Sequence, residues 1–306
     1  MKSNSPSRSF YGAVLVIILA IVLYDVMGAI VKHLSERYST QELTVFRNLF
    51  GLVPAVAILF TSRSWIEAGR PIVVRQWRLA IGRGCIGVLA QMSFYLSLIY
   101  MDFATASTLV FAGPLFITAL SVPILRHQIG LWRWAAVIIG FVGVMAVLRP
   151  DTASLTWYLL LPVCAALGYA TTAVTSKLFD VSVPSALINL YYTTAALLGS
   201  TILVIATSGF TTIAVAMDWM WLGCMGLVGG LAAFCMTTAN RMADPSSLSP
   251  FQYFGIPSSF ILGWIFFSET PFDDLIPGVF LIVGGGLLIF WREQKQRPAD
   301  RRKDSR

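Results

Sequence analysis

The sequence predicts an all-α integral membrane protein of ten transmembrane helices, built as two inverted five-helix repeats. Three observations predict it. Of 306 residues, 57% are hydrophobic and 12% charged, where a soluble domain carries about 25% charged residues. The apolar residues fall in runs of the length that crosses a bilayer, about 20 residues for a helix. The second half of the chain also repeats patterns of the first, at offsets of 143 and 145 residues.

The first run, 10–31, follows Lys2 and Arg8 and has no small-residue cleavage site. It is too long for the core of a signal peptide and reads as an uncleaved first span. Further spans are expected at 43–61, 79–100, 104–125 and 132–148, and then at 156–176, 186–207, 217–240, 247–268 and 275–291. Backbone groups in hydrocarbon must be satisfied within their own segment, so runs of this length form helices. Only a turn around Met101 to Phe103 separates the third and fourth spans. The expected organisation is one repeat over 10–149, a second over 156–291 and a basic tail over 292–306, with no length left for a soluble domain.

The net charge of +7 comes from 22 Lys and Arg against 15 Asp and Glu, and its placement gives it meaning. With the N-terminus inside, 17 of the 22 basic residues fall on the inner side, three (Lys32, Arg37 and Arg149) on the outer side, and Arg47 and Arg83 within spans. Basic residues concentrate in cytoplasmic loops, which predicts that both termini are cytoplasmic. The tail RRKDSR then reads as an anchor beside anionic lipid, and no nucleic-acid partner is expected.

The internal match has two parts. Tyr24 to Lys32 aligns with Tyr169 to Lys177, while Pro114 aligns with Pro257 and Gly143 with Gly286. Five spans per half is an odd number, so the second half enters the membrane from the opposite face. Inverted repeats of this kind typify secondary transporters, whose substrate site lies near the midplane between the repeats.

Three stretches carry a family resemblance: the proline-centred fourth span LVFAGPLFITALSVPILRHQ, its counterpart SPFQYFGIPSSFILGWIFFSETP, and the glycine-rich fifth spans at 140–150 and 278–293. On these the chain resembles the EamA family of the drug/metabolite transporter superfamily, in its bacterial ten-span form. The resemblance implies a carrier of a small metabolite in the bacterial inner membrane, with no enzymatic activity and no cofactor. Glu269 matches the acidic residue that closes the fourth span of a repeat, whereas the first half has Arg126-His127 at that place. Within the family, uptake of a vitamin-like aromatic such as riboflavin is the favoured expectation. Export of amino acids or drugs, or carriage of an S-adenosylmethionine-type nucleotide derivative, stands as the alternative.

Polar groups at span depth nominate the site, because an ionisable residue at a helix centre costs about 2.5 to 3.5 kcal/mol on insertion scales. At 1.5 Å per residue, Asp25 lies roughly 22 Å along the first span, and Arg47 is roughly 6 Å into the second from the opposite face. The two are candidates either for an ion pair or for substrate and proton binding. Arg83, near the cytoplasmic end of its span, is expected to snorkel to the interface. Gln91, Asn189, Asn240 and Gln252 are amides at depth, each a helix-to-helix bond or a cavity group. Phe94, Tyr95, Tyr169, Tyr191, Tyr192, Tyr253 and Trp264 are candidate stacking walls, and the family layout favours Tyr95 and Tyr253. Pro114 and Pro257 are expected to break the backbone ladder near mid-span, as hinges or static kinks.

Other patterns point away from chemistry. Gly82 to Gly87 spells G-x-G-x-x-G but no strand precedes it, so its glycines read as helix-packing positions, as do Gly223, Gly226, Gly229 and Gly230. His33 and His127 are too few for a metal cluster, and the four cysteines all lie in apolar runs. No P-loop and no nucleophile elbow occur, so a gradient or the substrate itself must drive transport.

Overall fold

The computed structural model describes residues 6–269 apart from 68, 71, 127–130, 149–156, 181, 208, 214 and 244, together with 279–281 and 283–284. Every regular element among these residues is helical. Seven segments are long and apolar enough to cross a membrane: Phe10–Leu34, Thr40–Thr61, Trp77–Tyr100, Phe103–Leu125, Trp157–Leu178, Ser185–Thr207 and Ala216–Met242. The fifth and ninth expected spans correspond to shorter apolar stretches, Val137–Ala146 and Phe251–Phe267. The tenth, 275–291, lies outside the described residues except at five positions.

α1 (Pro6–Leu34) and α10 (Ala216–Met242) lie antiparallel. Gly12, early in α1, packs on Met242 at the end of α10. His33, late in α1, meets Trp221 edge-on at 5.8 Å. α2 (Thr40–Thr61) runs parallel to α10 and begins with a capping box, in which Glu42 N–H donates to Ser39 Oγ (3.3 Å) while Ser39 N–H donates to Glu42 Oε2 (2.9 Å). The two helices touch backbone to backbone. A Cβ on Gly230 would stand 2.7 Å from the Gly51 carbonyl and 2.7 Å from Pro54 Cγ. Glycine permits that approach where a side chain would wedge the pair apart.

α4 (Trp77–Tyr100) packs antiparallel to α8 (Leu161–Thr175) and parallel to α9 (Ser185–Thr207). Tyr100 stacks on Tyr158 at 5.3 Å at one end, and Arg83 reaches Thr172 at the other. Gly84 and Gly87 make the seam with α9, where added Cβ atoms would run into Ala195 and the Tyr192 ring. Gly82 and Gly223 face open space, so they take no part in the packing expected of them.

The fourth span is broken, and in a different way from the expected mid-span kink. α5 (Phe103–Val110) stops, Phe111 and Ala112 form a turn, and α6 (Gly113–Leu125) restarts with Pro114 in its first turn. Proline is tolerated there because the first N–H groups of a helix have no intrahelical acceptor. The ninth expected span repeats the arrangement. α11 (Pro245–Leu248) passes into a 3-10 turn, Ser249–Phe254, and α12 (Gly255–Phe267) follows with Pro257 in its first turn. Both restarted helices have 13 residues and end on a left-handed residue, Arg126 (φ 56°, ψ 29°) and Ser268 (φ 56°, ψ 29°).

α3 (Arg63–Glu67) is a single turn after α2, and α7 (Leu131–Leu148) lies against α6 through Phe116 and Phe141, whose rings are 5.0 Å apart. Large apolar side chains such as Leu15, Phe60, Leu89, Ile138, Ile202, Ile205, Trp264 and Ile265 point outward. In a multi-pass membrane protein that face meets lipid, which is as apolar as they are.

Candidate functional site

The helices enclose a cavity with about 1140 Å³ of atom-free space, its opening to solvent included. Its walls come from α1, α4, α5, α6, α8, α9 and α10 and from the 3-10 turn before α12. Aromatic rings dominate: Tyr24, Phe94, Phe103, Phe111, Tyr169 and Tyr192. Asp25 and Arg83 are its ionisable residues at opposite charge, and Ser107, Thr172, Thr237, Asn240 and Gln252 supply uncharged polar groups. Arg83, Thr172 and Asn240 lie towards the end of the bundle where α1 begins, and Phe94 and Phe103 towards the other, so the cavity runs through the middle of the bundle.

Asp25 is 7% exposed, and its Oδ2 has no hydrogen-bond partner. Ser258, on α12, stands beside the carboxyl group. Arg83 does not snorkel. It is 5% exposed, donates to the Thr172 carbonyl through Nε (3.2 Å) and Nη2 (2.8 Å), and lies over the Phe179 ring at 5.4 Å. The Thr172 carbonyl, near the end of α8, takes the guanidinium across the helix contact, so a side chain expected to reach water is enclosed. Its Nη1 is left without an acceptor.

Arg47 does not pair with Asp25 and does not line the cavity. Its guanidinium donates to Asn48 Oδ1 (2.7 Å) and to the Gly229 carbonyl (2.9 Å), which ties α2 to α10. The network continues sideways: Asn48 Nδ2 donates to Gln91 Oε1 (3.4 Å), Gln91 Nε2 to Tyr95 Oη (2.8 Å), and Tyr95 Oη to Met27 Sδ (3.7 Å). Gln91 and Tyr95 thus stand behind the cavity wall, joining α2, α4 and α1. Tyr253 is buried in a cluster with Ile17, Leu109 and Leu115, and Asn189 is buried on α9 with both amide atoms unpartnered. Of the seven residues nominated for binding, Asp25 and Gln252 reach the cavity. Tyr191 donates to the Ile72 carbonyl (2.8 Å), and Trp264 faces outward.

At the far end of the bundle the helices are tied by charge. Lys32 pairs with Glu269, which also accepts from the Phe103 N–H (2.8 Å). Arg37 pairs with Asp218 (2.7 Å), which accepts from Tyr38 Oη as well (2.8 Å). Burial first, then that hydrogen bond, holds the Tyr38 phenol above its ordinary pKa.

Residues 11–149 match the EamA-like transporter family. Relatives extend over nearly the whole chain. An S-adenosylmethionine uptake transporter of Rickettsia prowazekii is 23% identical over 293 residues, 95% of this chain and 97% of that one. A riboflavin transporter of Rhizobium johnstonii is 26% identical over 95% of this chain and 94% of its own. A pseudopaline exporter of Pseudomonas aeruginosa is 24% identical over 88% and 93%. A crystal structure at 19% identity superposes with a TM-score of 0.70, covering 93% of this chain and 98% of that one, and so shares the fold. The chain is a multi-pass membrane protein that moves a small metabolite.

Several cavity residues escaped the sequence. Tyr24 sits next to Asp25, and a helix that presents one residue to a cavity presents neighbours three or four positions away more readily than the adjacent one. Phe103 and Phe111 flank the ends of α5, so their placement depends on a helix break that apolar composition does not reveal. Arg83 carried a signal, a charge at span depth, which a place near the span end made easy to discount.

Proposed function

We propose that this chain is a secondary carrier that takes up an S-adenosylmethionine-type metabolite across the bacterial inner membrane by alternating access. One observation carries the reading: a box of six aromatic rings has a buried carboxylate, Asp25, with an oxygen unpartnered. Ring faces attract cations and stack on nucleobases, and a carboxylate completes a site for a cationic group. The Rickettsia relative supports the choice of cargo. A flavin is the second reading, favoured by the Asn240 and Gln252 amides in the same wall, whose donors and acceptors suit a neutral heteroaromatic edge.

Ten spans in two inverted repeats, 10–149 and 156–291, supply the two halves that rock. The repeated broken helix, with left-handed ends at Arg126 and Ser268, supports that organisation, as does the opposite direction of α1 and α8. The distribution of basic residues supports cytoplasmic termini. On that orientation the cavity runs from Arg83 and Asn240 on the inner side to Phe103 on the outer, and the Lys32–Glu269 and Arg37–Asp218 pairs close the outer end.

Vesicles containing the full chain test the proposal. Labelled S-adenosylmethionine should accumulate, excess riboflavin should compete weakly, and an uncoupler reports whether a proton gradient drives uptake. No accumulation of S-adenosylmethionine by vesicles holding folded protein would sink the cargo assignment. Reporter fusions at Asp102 and at the C-terminus should read opposite sides, and a shared side would sink the ten-span arrangement.

A further inference from the structure

Arg83 is, among the described residues, a buried cation without an anion. Among the described residues the ion pairs are Lys32–Glu269 and Arg37–Asp218, and neither involves Arg83. A guanidinium has five N–H donors in a planar fork. Thr172 takes the edge formed by Nε and Nη2. The other edge, between Nη1 and the second hydrogen of Nη2, is left over. Nη1 is buried with no acceptor, on a side chain that lines the cavity. That edge has the geometry that grips both oxygens of a carboxylate or two oxygens of a phosphate. The Thr172 carbonyl and the Phe179 ring fix the guanidinium in place before any ligand arrives.

The charge balance points the same way. The ionisable residues at span depth outside the two pairs include Arg47 and Arg83 against Asp25 alone. Arg47 spends its terminal nitrogens on Asn48 and Gly229 and stands outside the cavity lining. Arg83 is therefore the cation within reach of cargo. An unpaired charge in a low-dielectric interior is costly, and an anion that arrives with the cargo relieves it.

We propose that Arg83 is the anchor for an oxyanion on the transported molecule, so that the cargo carries a carboxylate or phosphate opposite whatever group meets Asp25. This deepens the proposed function and rests on the cavity being the cargo site. It makes Arg83 a specificity-determining residue: a molecule of the same shape without the oxyanion leaves the guanidinium edge unpaired and binds more weakly.

The test measures equilibrium binding to the purified full chain with three matched pairs of probes. They are S-adenosylmethionine with its decarboxylated form, tryptophan with tryptamine, and riboflavin 5′-phosphate with riboflavin. In at least one pair the oxyanion member should bind about tenfold tighter or more, the size expected of a charge-assisted bond. Arg83→Gln should bring the two members of that pair within about threefold, and Arg83→Lys should keep part of the difference. The wild-type preference is read without any variant, so a misfolded Arg83→Gln does not decide the matter. The inference is overturned if no oxyanion member binds preferentially, or if a folded Arg83→Gln retains the full preference. Preference within the tryptophan or flavin pair alone, with no binding of S-adenosylmethionine, would uphold Arg83 and reject the proposed cargo. Preference within the S-adenosylmethionine pair that distinguishes carboxylate, with none in the flavin pair, assigns the anchor to carboxylates.

Discussion

Lys32 and Glu269 join the end of α1 to the residue just past α12, across 237 positions of sequence. The pair does more than link two helices. Lys32 Nζ also donates to the Met101 carbonyl (3.3 Å), and Glu269 Oε2 accepts from the Phe103 N–H (2.8 Å), so the turn between α4 and α5 is held in the same knot. Four helix ends converge on two side chains, on the side of the cavity away from Arg83 and Asn240.

Glu269→Gln should loosen that end. The amide still accepts from Phe103 N–H, but the charge attraction to Lys32 is lost, and partly buried pairs of this kind are worth about 1 kcal/mol, a shift of roughly fivefold in an open–closed equilibrium. A cysteine at Ser107, which lines the cavity, reads it out. Labelling by a membrane-impermeant maleimide from the side of the Lys32–Glu269 pair should rise about that much in Glu269→Gln. Unchanged labelling would mean that the pair does not hold its end of the bundle shut.

Asp218 is the second tie, and here the prediction concerns stability. It is 1% exposed and accepts from Arg37 and from Tyr38. Asp218→Ala strands the Tyr38 hydroxyl, which is itself buried, and should lower stability by about 1 to 3 kcal/mol. Tyr38→Phe removes the donor, leaves Arg37 in place, and should cost about 1 kcal/mol or less. Thermal unfolding in detergent separates the two. Equal melting temperatures for both variants would show that the Arg37 pair adds nothing beyond the Tyr38 hydrogen bond.

What could be read in advance, and what could not, follows from how the membrane acts on sequence. Seven span positions were legible because each run must satisfy its own backbone, a one-dimensional constraint. Asp25 and Gln252 were legible because a polar group at depth calls for a reason. Arg47 and Gln91 gave the same signal but serve a helix-to-helix network, since a buried donor is satisfied equally well by a carbonyl such as that of Gly229. Telling the two uses apart requires knowing which helices meet. The break at Phe111–Ala112 was hidden for a related reason: the broken span is as apolar as an unbroken one, and Pro114 marks the restart and not the break itself.

Gly87 connects packing to binding. A Cβ there would overlap the Tyr192 ring, which forms part of the cavity wall. Gly87→Ala should therefore do two things: lower stability by about 1 to 3 kcal/mol, as overpacking does, and weaken cargo binding by displacing Tyr192. Gly82→Ala, at a position with open space, should do neither. Binding and melting curves on both variants check the pair, and a binding defect in Gly82→Ala would disconnect the seam from the site.

Asp25 is the most exacting case, because its neighbours leave it little else to do. Its partner is not Arg47, whose hydrogen bonds go to Asn48 and Gly229. Nor, among the described residues, is it in an ion pair with Arg83. A carboxyl group with a buried unpartnered oxygen contributes nothing to holding α1 in place that an amide would not supply equally well. Asp25→Asn should accordingly leave the melting temperature within a degree or two of wild type, since the amide matches the carboxyl in size. Transport should respond differently. Loss of the charge that faces a cationic cargo should reduce uptake about tenfold or more, the size of a charged hydrogen bond, and should flatten its dependence on external pH if the same group carries a coupling proton. Uptake over a pH series in vesicles, set beside thermal unfolding of the same preparation, measures both. Normal uptake by a stable Asp25→Asn protein would remove Asp25 from cargo and proton binding alike, and leave Arg83 as the charge that the cavity uses.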